Sequence, residues 1–316
     1  MLGGYCMGKK LFIINPAGFG GFTSDVWHEF LSLWGKDIPS DNIYVTTGPG
    51  DARKKAALCD NFDVIVAIGG DGTIGEVASG IMDRVENNPT AEIPALAVVP
   101  GGAGNDICRA LGISSTAQAV DAILANKQKP YDLIQVDCQV ESANGKKNAR
   151  RYAMMFANVG FPSNALATPF LKRLLGGMLA YHFAIFLKLL VHKPPRLSFN
   201  GGGRVFNEAK WTILLANIER AGGGGVCLAP GSRYDDGEMK ITIVPSRNKL
   251  TMLLKVLPKI AAGKHITEPG FDFFSASKAT VTAENKCVLE IDGDTFGQTP
   301  ATFTHRAKAI RVVCLN

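Results

Sequence analysis

The sequence predicts an α/β domain built on a doubly wound parallel sheet, followed by a β-rich domain of antiparallel, sandwich-like strands. Three observations carry that prediction. Up to about residue 130, short apolar runs alternate with helix-like stretches, the texture of parallel strands covered on both faces. Three glycine-rich loops in this half each follow an apolar run and precede a helix, which places them together at the carboxyl edge of such a sheet. Beyond Lys129 and Pro130, strand-like runs follow one another with turn signals between them and few helices. A chain of 316 residues also favours two domains over one, with the boundary at 130/131.

In order, "KLFIIN" (10–15) forms the first strand, with a helix over 23–35. "NIYVTT" forms the second, with a helix over 50–58, and "DVIVAI" (63–68) the third, with a helix over 74–84. "PALAVVP" (94–100) forms the fourth, with helices over 105–111 and 116–126. None of these strands alternates polar and apolar residues, as expected where both faces are buried. In the second half, "YDLIQVDCQV", "RRYAMMFANVGF", "RLSFNG", "RVFNEAKWTILLANIE", "EMKITIV", "KATVTAE", "CVLEIDGD" and "AIRVVCL" read as strands, interrupted by helices near 166–191 and 249–262.

The chain carries 34 basic and 28 acidic residues, a formal charge of +6. That is too mild for the basic stripe of a nucleic-acid binder, and it suits a polyanionic small substrate or an anionic membrane surface. The seven cysteines stand singly and never as CxxC, the usage of reduced thiols in a cytoplasmic protein. The N-terminus lacks the basic head and apolar stretch of a signal peptide. Residues 174–191 have the length of a membrane span, but a glycine pair, His182 and Lys188 interrupt them. A central lysine costs about 3 kcal/mol on insertion, so a buried or amphipathic helix is expected and the protein is read as peripheral, not transmembrane.

The three loops are "NPAGFGG" (15–21), "GGDGT" (69–73) and "PGGAGND" (100–106). Glycine lets backbone N–H groups approach a phosphate, and the helix that follows adds roughly half a positive charge. Any one loop is explained by a tight turn; three on one sheet edge suit a polyphosphate. None matches GxxxxGK[ST] or a full GxGxxG with its downstream acid. The five histidines show no HExxH spacing, and GxSxG is absent.

At this point the residues carry a resemblance. "FIINPAGFGG", "VTTGPGDA" (45–52), "GGDGTIGEV" (69–77), "PGGAGNDICRALGI" (100–113), "GGGVCLAPGSRYDDGEMKITIV" (223–244) and "LEIDGD" (289–294) resemble, in order, the motifs of the diacylglycerol kinase catalytic family. That family includes soluble bacterial lipid kinases and the sphingosine and ceramide kinases. The GGDGT loop alone is less specific, because NAD kinases and phosphofructokinases carry versions of it. The resemblance implies ATP- and Mg²⁺-dependent phosphorylation of a lipid hydroxyl, such as that of diacylglycerol, at a membrane surface. It further implies that the final strand, within 306–316, returns to the nucleotide domain (1–130), leaving 131–305 as the lipid domain. Family members often begin just before "KKLFIINP", so Met7 competes with Met1 as the start. A homodimer is compatible with this reading.

By the same resemblance, Asn15, Thr46, Gly69, Gly70, Asp71, Gly72, Thr73, Gly102, Ala103 and Asn105 fall at nucleotide-contact positions. Asp71 would repel phosphates unaided, so it is expected to act through Mg²⁺ or on the ribose or adenine; its bland alternative is an acid fixing a turn or capping the next helix. Asp292 aligns with the proposed general base, and Asp294 stands where glutamate is commoner. A simple DG turn between two strands is the local alternative. Asp236, with the main-chain carbonyls of Arg233 and Glu238, aligns with a structural Mg²⁺ site, where a hairpin turn is the local alternative. Two further departures are Ala103, where most members have threonine, and Gly75, where asparagine is usual. The competing functions are an NAD kinase and a nucleotide- or lipid-binding homologue that has lost catalysis.

Overall fold

A computed structural model describes residues 8–17, 22–142, 145–161 and 191–315. The chain divides into two compact units, Met1–Leu133 with Ala307–Asn316, and Ile134–Arg306. The helix expected near 166–191 lies outside the described residues, as do most of "NPAGFGG" and both candidate start methionines.

In the first unit, β1 (Lys10–Ile14), β2 (Ile43–Val45), β3 (Val64–Gly69) and β4 (Ala95–Pro100) are parallel in the order β4-β3-β1-β2. Val312 from the end of the chain lies parallel beside Leu96. All five residues Val64–Ile68 are fully buried, which is why β3 shows no polar alternation. The helices are α1 (Phe22–Trp34), α2 (Asp51–Leu58), α3 (Asp71–Asn87), α4 (Asp106–Ala110) and α5 (Thr116–Ala125). The step from β1 to β2 runs opposite to the steps from β2 to β4. Right-handed crossovers therefore put α1 on one face and α2 with α3 on the other. The packing agrees, with α1 against α5 and α2 against α3. Trp27, Phe30 and Trp34, at helical spacing, close around Phe12 with ring centroids 5.5 to 6.1 Å apart.

The second unit is antiparallel. Its strands are β5 (Gln128–Ser142, beginning in the first unit), β6 (Gly145–Ala153), β7 (Phe156–Gly160), β8 (Arg196–Gly201), β9 (Arg204–Ala216), β10 (Arg220–Ala221), β11 (Val226–Cys227), β12 (Lys240–Pro245), β13 (Asp272–Ser275), β14 (Lys278–Ala283), β15 (Val288–Ile291) and β16 (Asp294–Val313, ending in the first unit). Strands β9, β7, β15, β16, β14 and β8 pair in sequence and close back on β9. Closure is met by a long β9, whose first part pairs with β8 and whose last part pairs with β7 and β12. Period-two alternation sorts the faces. Ala157, Val159, Ile213, Leu215, Ile241 and Ile243 enter the main core, while the residues between them point to the opposite side.

Three expectations are corrected in detail. The run 150–161 is two strands, β6 and β7, interrupted at Met154 and Met155. Residues 295–305 are strand where none was expected; Gly297 at φ +67° and a register shift opposite β15 break the alternation that would have marked it. The helix near 249–262 spans Lys249–Thr251, a π-helical Met252–Val256 and Leu257–Ala261. Pro258 has no N–H to give to the carbonyl four residues back, and its ring crowds that carbonyl, so a wider turn ahead of it relieves the conflict.

Candidate active site

Each unit contributes its own candidate centre. In the first, β3 ends at Gly69 and α3 starts at Asp71, with Gly70 at the N-cap and no side chain capping it. The first-turn amides of such a helix have no partner within it, and they form a ready anion site. Asn15 Nδ2 donates to Thr73 Oγ1 at 2.9 Å, fastening the first loop to this turn.

Asp71 does not cap its own helix. Its carboxylate crosses to the third loop and accepts from the backbone N–H of Asp106 at 3.1 Å and of Ile107 at 2.9 Å, capping α4. Burial pushes its pKa up, and those two N–H groups pull it back. The glycines have a matching explanation. A Cβ on Gly102 would fall 2.5 Å from the Gly70 Cα, so the second and third loops touch backbone to backbone and exclude side chains from both. Asn105, in the left-handed region at φ +53°, uses its amide on the same loop. It accepts from Gly102 N and donates to Gly102 O, both at 2.8 Å. Ala103 is left exposed at the loop tip.

Thr46 is buried, and its N–H donates to Ile14 O at 2.8 Å. Glu76, on α3, accepts from Gly50 N at 2.7 Å and so binds the loop before α2 to the same assembly. Glu76 lies within the GGDGTIGEV motif, but its work is not legible from sequence, because its partner is a backbone amide 26 residues away.

In the second unit, Asp292 follows β15 in a turn, at φ +51° and 4% exposed. Its Oδ2 accepts from Met154 N at 2.8 Å, and its Oδ1 from Met155 N at 2.8 Å and Phe156 N at 3.0 Å. This explains the interruption between β6 and β7: those amides turn away from the sheet ladder to hold a buried carboxylate. Burial drives the Asp292 pKa up to about 6, opposed by the three N–H groups and then by Arg151. Asp294, half exposed, pairs with Arg151 at 2.8 Å. The structure thus joins the hairpin turn and the buried acid in one residue. Neither Arg151 nor the amide trio was singled out from sequence, and main-chain donors leave no residue-type signal.

Phe156, whose N–H holds Asp292, also lines a largely apolar cavity of about 180 Å³ formed by the outward faces of β7, β9 and β12. Phe156, Leu214, Val244, Leu257 and Ile260 supply its apolar walls. Asn158 and Thr212 bring polar atoms to it, hydrogen-bonded to each other, and Asn158 Nδ2 lies 3.3 Å from the buried Glu290. His265, 1% exposed, also lines it; its Nδ1 has no hydrogen-bond partner among the described residues, and burial lowers its pKa against the backbone at Leu228 and Lys259, which raises it.

The Asp236 turn offers oxygen ligands to a metal. The carboxylate accepts from Arg233 N at 2.9 Å and Glu238 N at 3.0 Å, while the Asp235 carboxylate is held by the Arg233 guanidinium. Each Asp236 oxygen keeps a lone pair, and an exposed carboxylate with nearby carbonyls is a hard-oxygen set that fits a largely hydrated Mg²⁺. Among the described residues, no group of three or more His, Cys, Asp or Glu side chains is placed to hold a metal.

Comparison with known proteins gives a consistent picture. The family described as "Diacylglycerol kinase catalytic domain" matches residues 9–136, and "YegS C-terminal NAD kinase beta sandwich-like domain" matches residues 157–314. A diacylglycerol kinase of Bacillus subtilis is 31% identical over 279 residues, covering 86% of this chain and 85% of that protein. One from Staphylococcus haemolyticus is 28% identical, covering 86% and 77%. A crystal structure described as a diacylglycerol kinase from Bacillus anthracis has TM-score 0.70 at 23% identity, covering 98% and 97%. Yeast NADH kinase complexed with NADH has TM-score 0.51 at 11% identity, covering 98% and 84%, a likeness of fold.

Proposed function

The chain belongs to the diacylglycerol kinase catalytic-domain family, and from that premise we propose that it moves the γ-phosphoryl group of ATP to the hydroxyl of diacylglycerol or a similar lipid alcohol. The observation that carries this reading is Asp292. A buried carboxylate with a pKa lifted to about 6 is a stronger base than a free aspartate and remains ionised at neutral pH. Three of its roughly four lone-pair sites are taken by amides, which fix its orientation and leave one for an acceptor hydroxyl. The hydroxyl oxygen forms the new bond to the γ-phosphorus, the bond to the bridging oxygen breaks, ADP leaves, and the hydroxyl proton passes to Asp292. Such transfers depend on positioning and charge neutralisation more than on covalent help.

The first-turn amides of α3, with the loop braced by Asp71, Asn105 and Asn15, are suited to the ATP phosphates. Gly69, Gly72, Thr73 and Ala103 lie in the same loops, and Thr46 at the adjoining strand end. Mg²⁺ bound with ATP would neutralise the phosphate charge, and a separate structural Mg²⁺ would be held by Asp236 with the carbonyls of Arg233 and Glu238. Phe156 ties acid to cavity: its N–H holds Asp292 while its side chain lines the apolar space, a suitable surrounding for an acyl chain. We place the protein in the cytoplasm with transient membrane contact.

The test is to incubate the protein with radiolabelled ATP, Mg²⁺ and mixed micelles of total lipid extract, with NAD in a parallel reaction. Label in an organic-soluble product identified by mass spectrometry supports the proposal. Label in NADP, or ATP binding without transfer to any lipid, refutes it.

A further inference from the structure

The helical segment from Lys249 to Ala261 is apolar on two sides. Its inner side is anchored in the second unit, where Met252 and Val256 pack with Trp211 and Val244. Its outer side carries Leu250 and Leu254, one turn apart and 66% and 63% exposed. Pro258 and Ala261 continue the exposed row. Isolated exposed leucines are ordinary, but a helix apolar on both faces normally buries both.

Charge says what covers the outer face. From Met239 to Thr267 the chain has no Asp or Glu, while Lys240, Arg247, Lys249, Lys255, Lys259 and Lys264 supply six cations. Arg247, Lys249, Lys255 and Lys264 are exposed around the apolar row. Leucines flanked by lysines, whose stems lie along apolar surface while their ammonium groups reach outward, match the boundary of an anionic bilayer. The same segment walls the cavity through Leu257 and Ile260.

We propose that this segment docks the second unit on a membrane leaflet containing anionic phospholipid, with Leu250 and Leu254 entering the acyl boundary and Lys249 and Lys255 meeting headgroup phosphates. The inference deepens the lipid-kinase reading and takes its significance from it. Docking here sets the cavity wall against the leaflet in which the acceptor lipid dissolves.

The full-length protein is sedimented with vesicles of equal parts phosphatidylglycerol and phosphatidylcholine, and with vesicles of phosphatidylcholine alone. Binding to the anionic vesicles, weakened about tenfold or more by the double change Leu250→Ser, Leu254→Ser, supports the proposal. Loss of the preference for anionic vesicles in Lys249→Gln, Lys255→Gln supports it further. Both variants are expected to keep the wild-type circular dichroism and the wild-type rate on a short-chain lipid alcohol below its aggregation concentration. Wild-type vesicle binding by the leucine variant overturns docking. So does a dimer, seen by ultracentrifugation, that the leucine changes dissolve, since a second copy would then cover the face. Leucine-dependent binding without lipid phosphorylation would sink the kinase reading and leave docking standing; phosphorylation without leucine-dependent binding would do the reverse.

Discussion

Asp292 and Ala103 bound what single residues do here. Burial raises the Asp292 pKa to about 6, so a proton-accepting role gives a definite pH signature. The rate of lipid phosphorylation should fall about tenfold per unit below pH 6, whereas an ordinary carboxylate would sustain it to about pH 4. A pH–rate profile flat down to pH 4.5 would remove Asp292 from the role. The stability sign runs the other way. A carboxyl whose folded pKa exceeds its unfolded value favours the fold when protonated, so its contribution is complete below about pH 4 and is lost as pH rises through about 6. This acid is held ionised at neutral pH at a cost to the fold. Ala103 makes the opposite prediction: restoring the hydroxyl with Ala103→Thr should lower the KM for ATP by about two- to tenfold, the worth of one hydrogen bond. An unchanged KM would show that the exposed loop tip does not touch nucleotide.

At the scale of elements, the glycine loops are a packing device before they are a binding device. The 2.5 Å approach of a Gly102 Cβ to the Gly70 backbone predicts that Gly102→Ala forces the second and third loops apart. The expected cost is about 1 to 3 kcal/mol, read by denaturant unfolding, together with weakened ATP binding by calorimetry. Unchanged stability would mean the loops separate freely. This distinction was hidden from sequence, where glycine beside a phosphate and glycine beside glycine read alike. The strands β1 to β4 were legible because their residues are apolar without interruption. The break between β6 and β7 was not, because its cause is the carboxylate of Asp292, more than 130 residues away. The residues 295–305 of β16 escaped for a local reason, the glycine and register shift that disrupt their alternation.

For the whole molecule, the two textures of the sequence, uninterrupted apolar runs and then turn-separated strands, correspond to parallel layers in one unit and antiparallel strands closed in a ring in the other. The ordered motifs identified the family because they are spaced along most of the chain, where one GGDGT loop would have left several kinases open. The two centres differ in legibility. Asp71 and Asp292 were visible as acids beside glycines, but their partners are the amides of 106–107 and 154–156, which any residue type supplies. In the proposed reaction Asp292 accepts the proton of a lipid hydroxyl and the first unit holds ATP. The most direct measurement compares wild type with Asp292→Asn for radiolabel transfer from ATP to diacylglycerol in mixed micelles, with ATP affinity measured by calorimetry on the same samples. Loss of transfer by at least about a hundredfold with ATP affinity unchanged is the expected result. Transfer that survives the substitution, or ATP binding lost along with it, would remove Asp292 from the proton-accepting role.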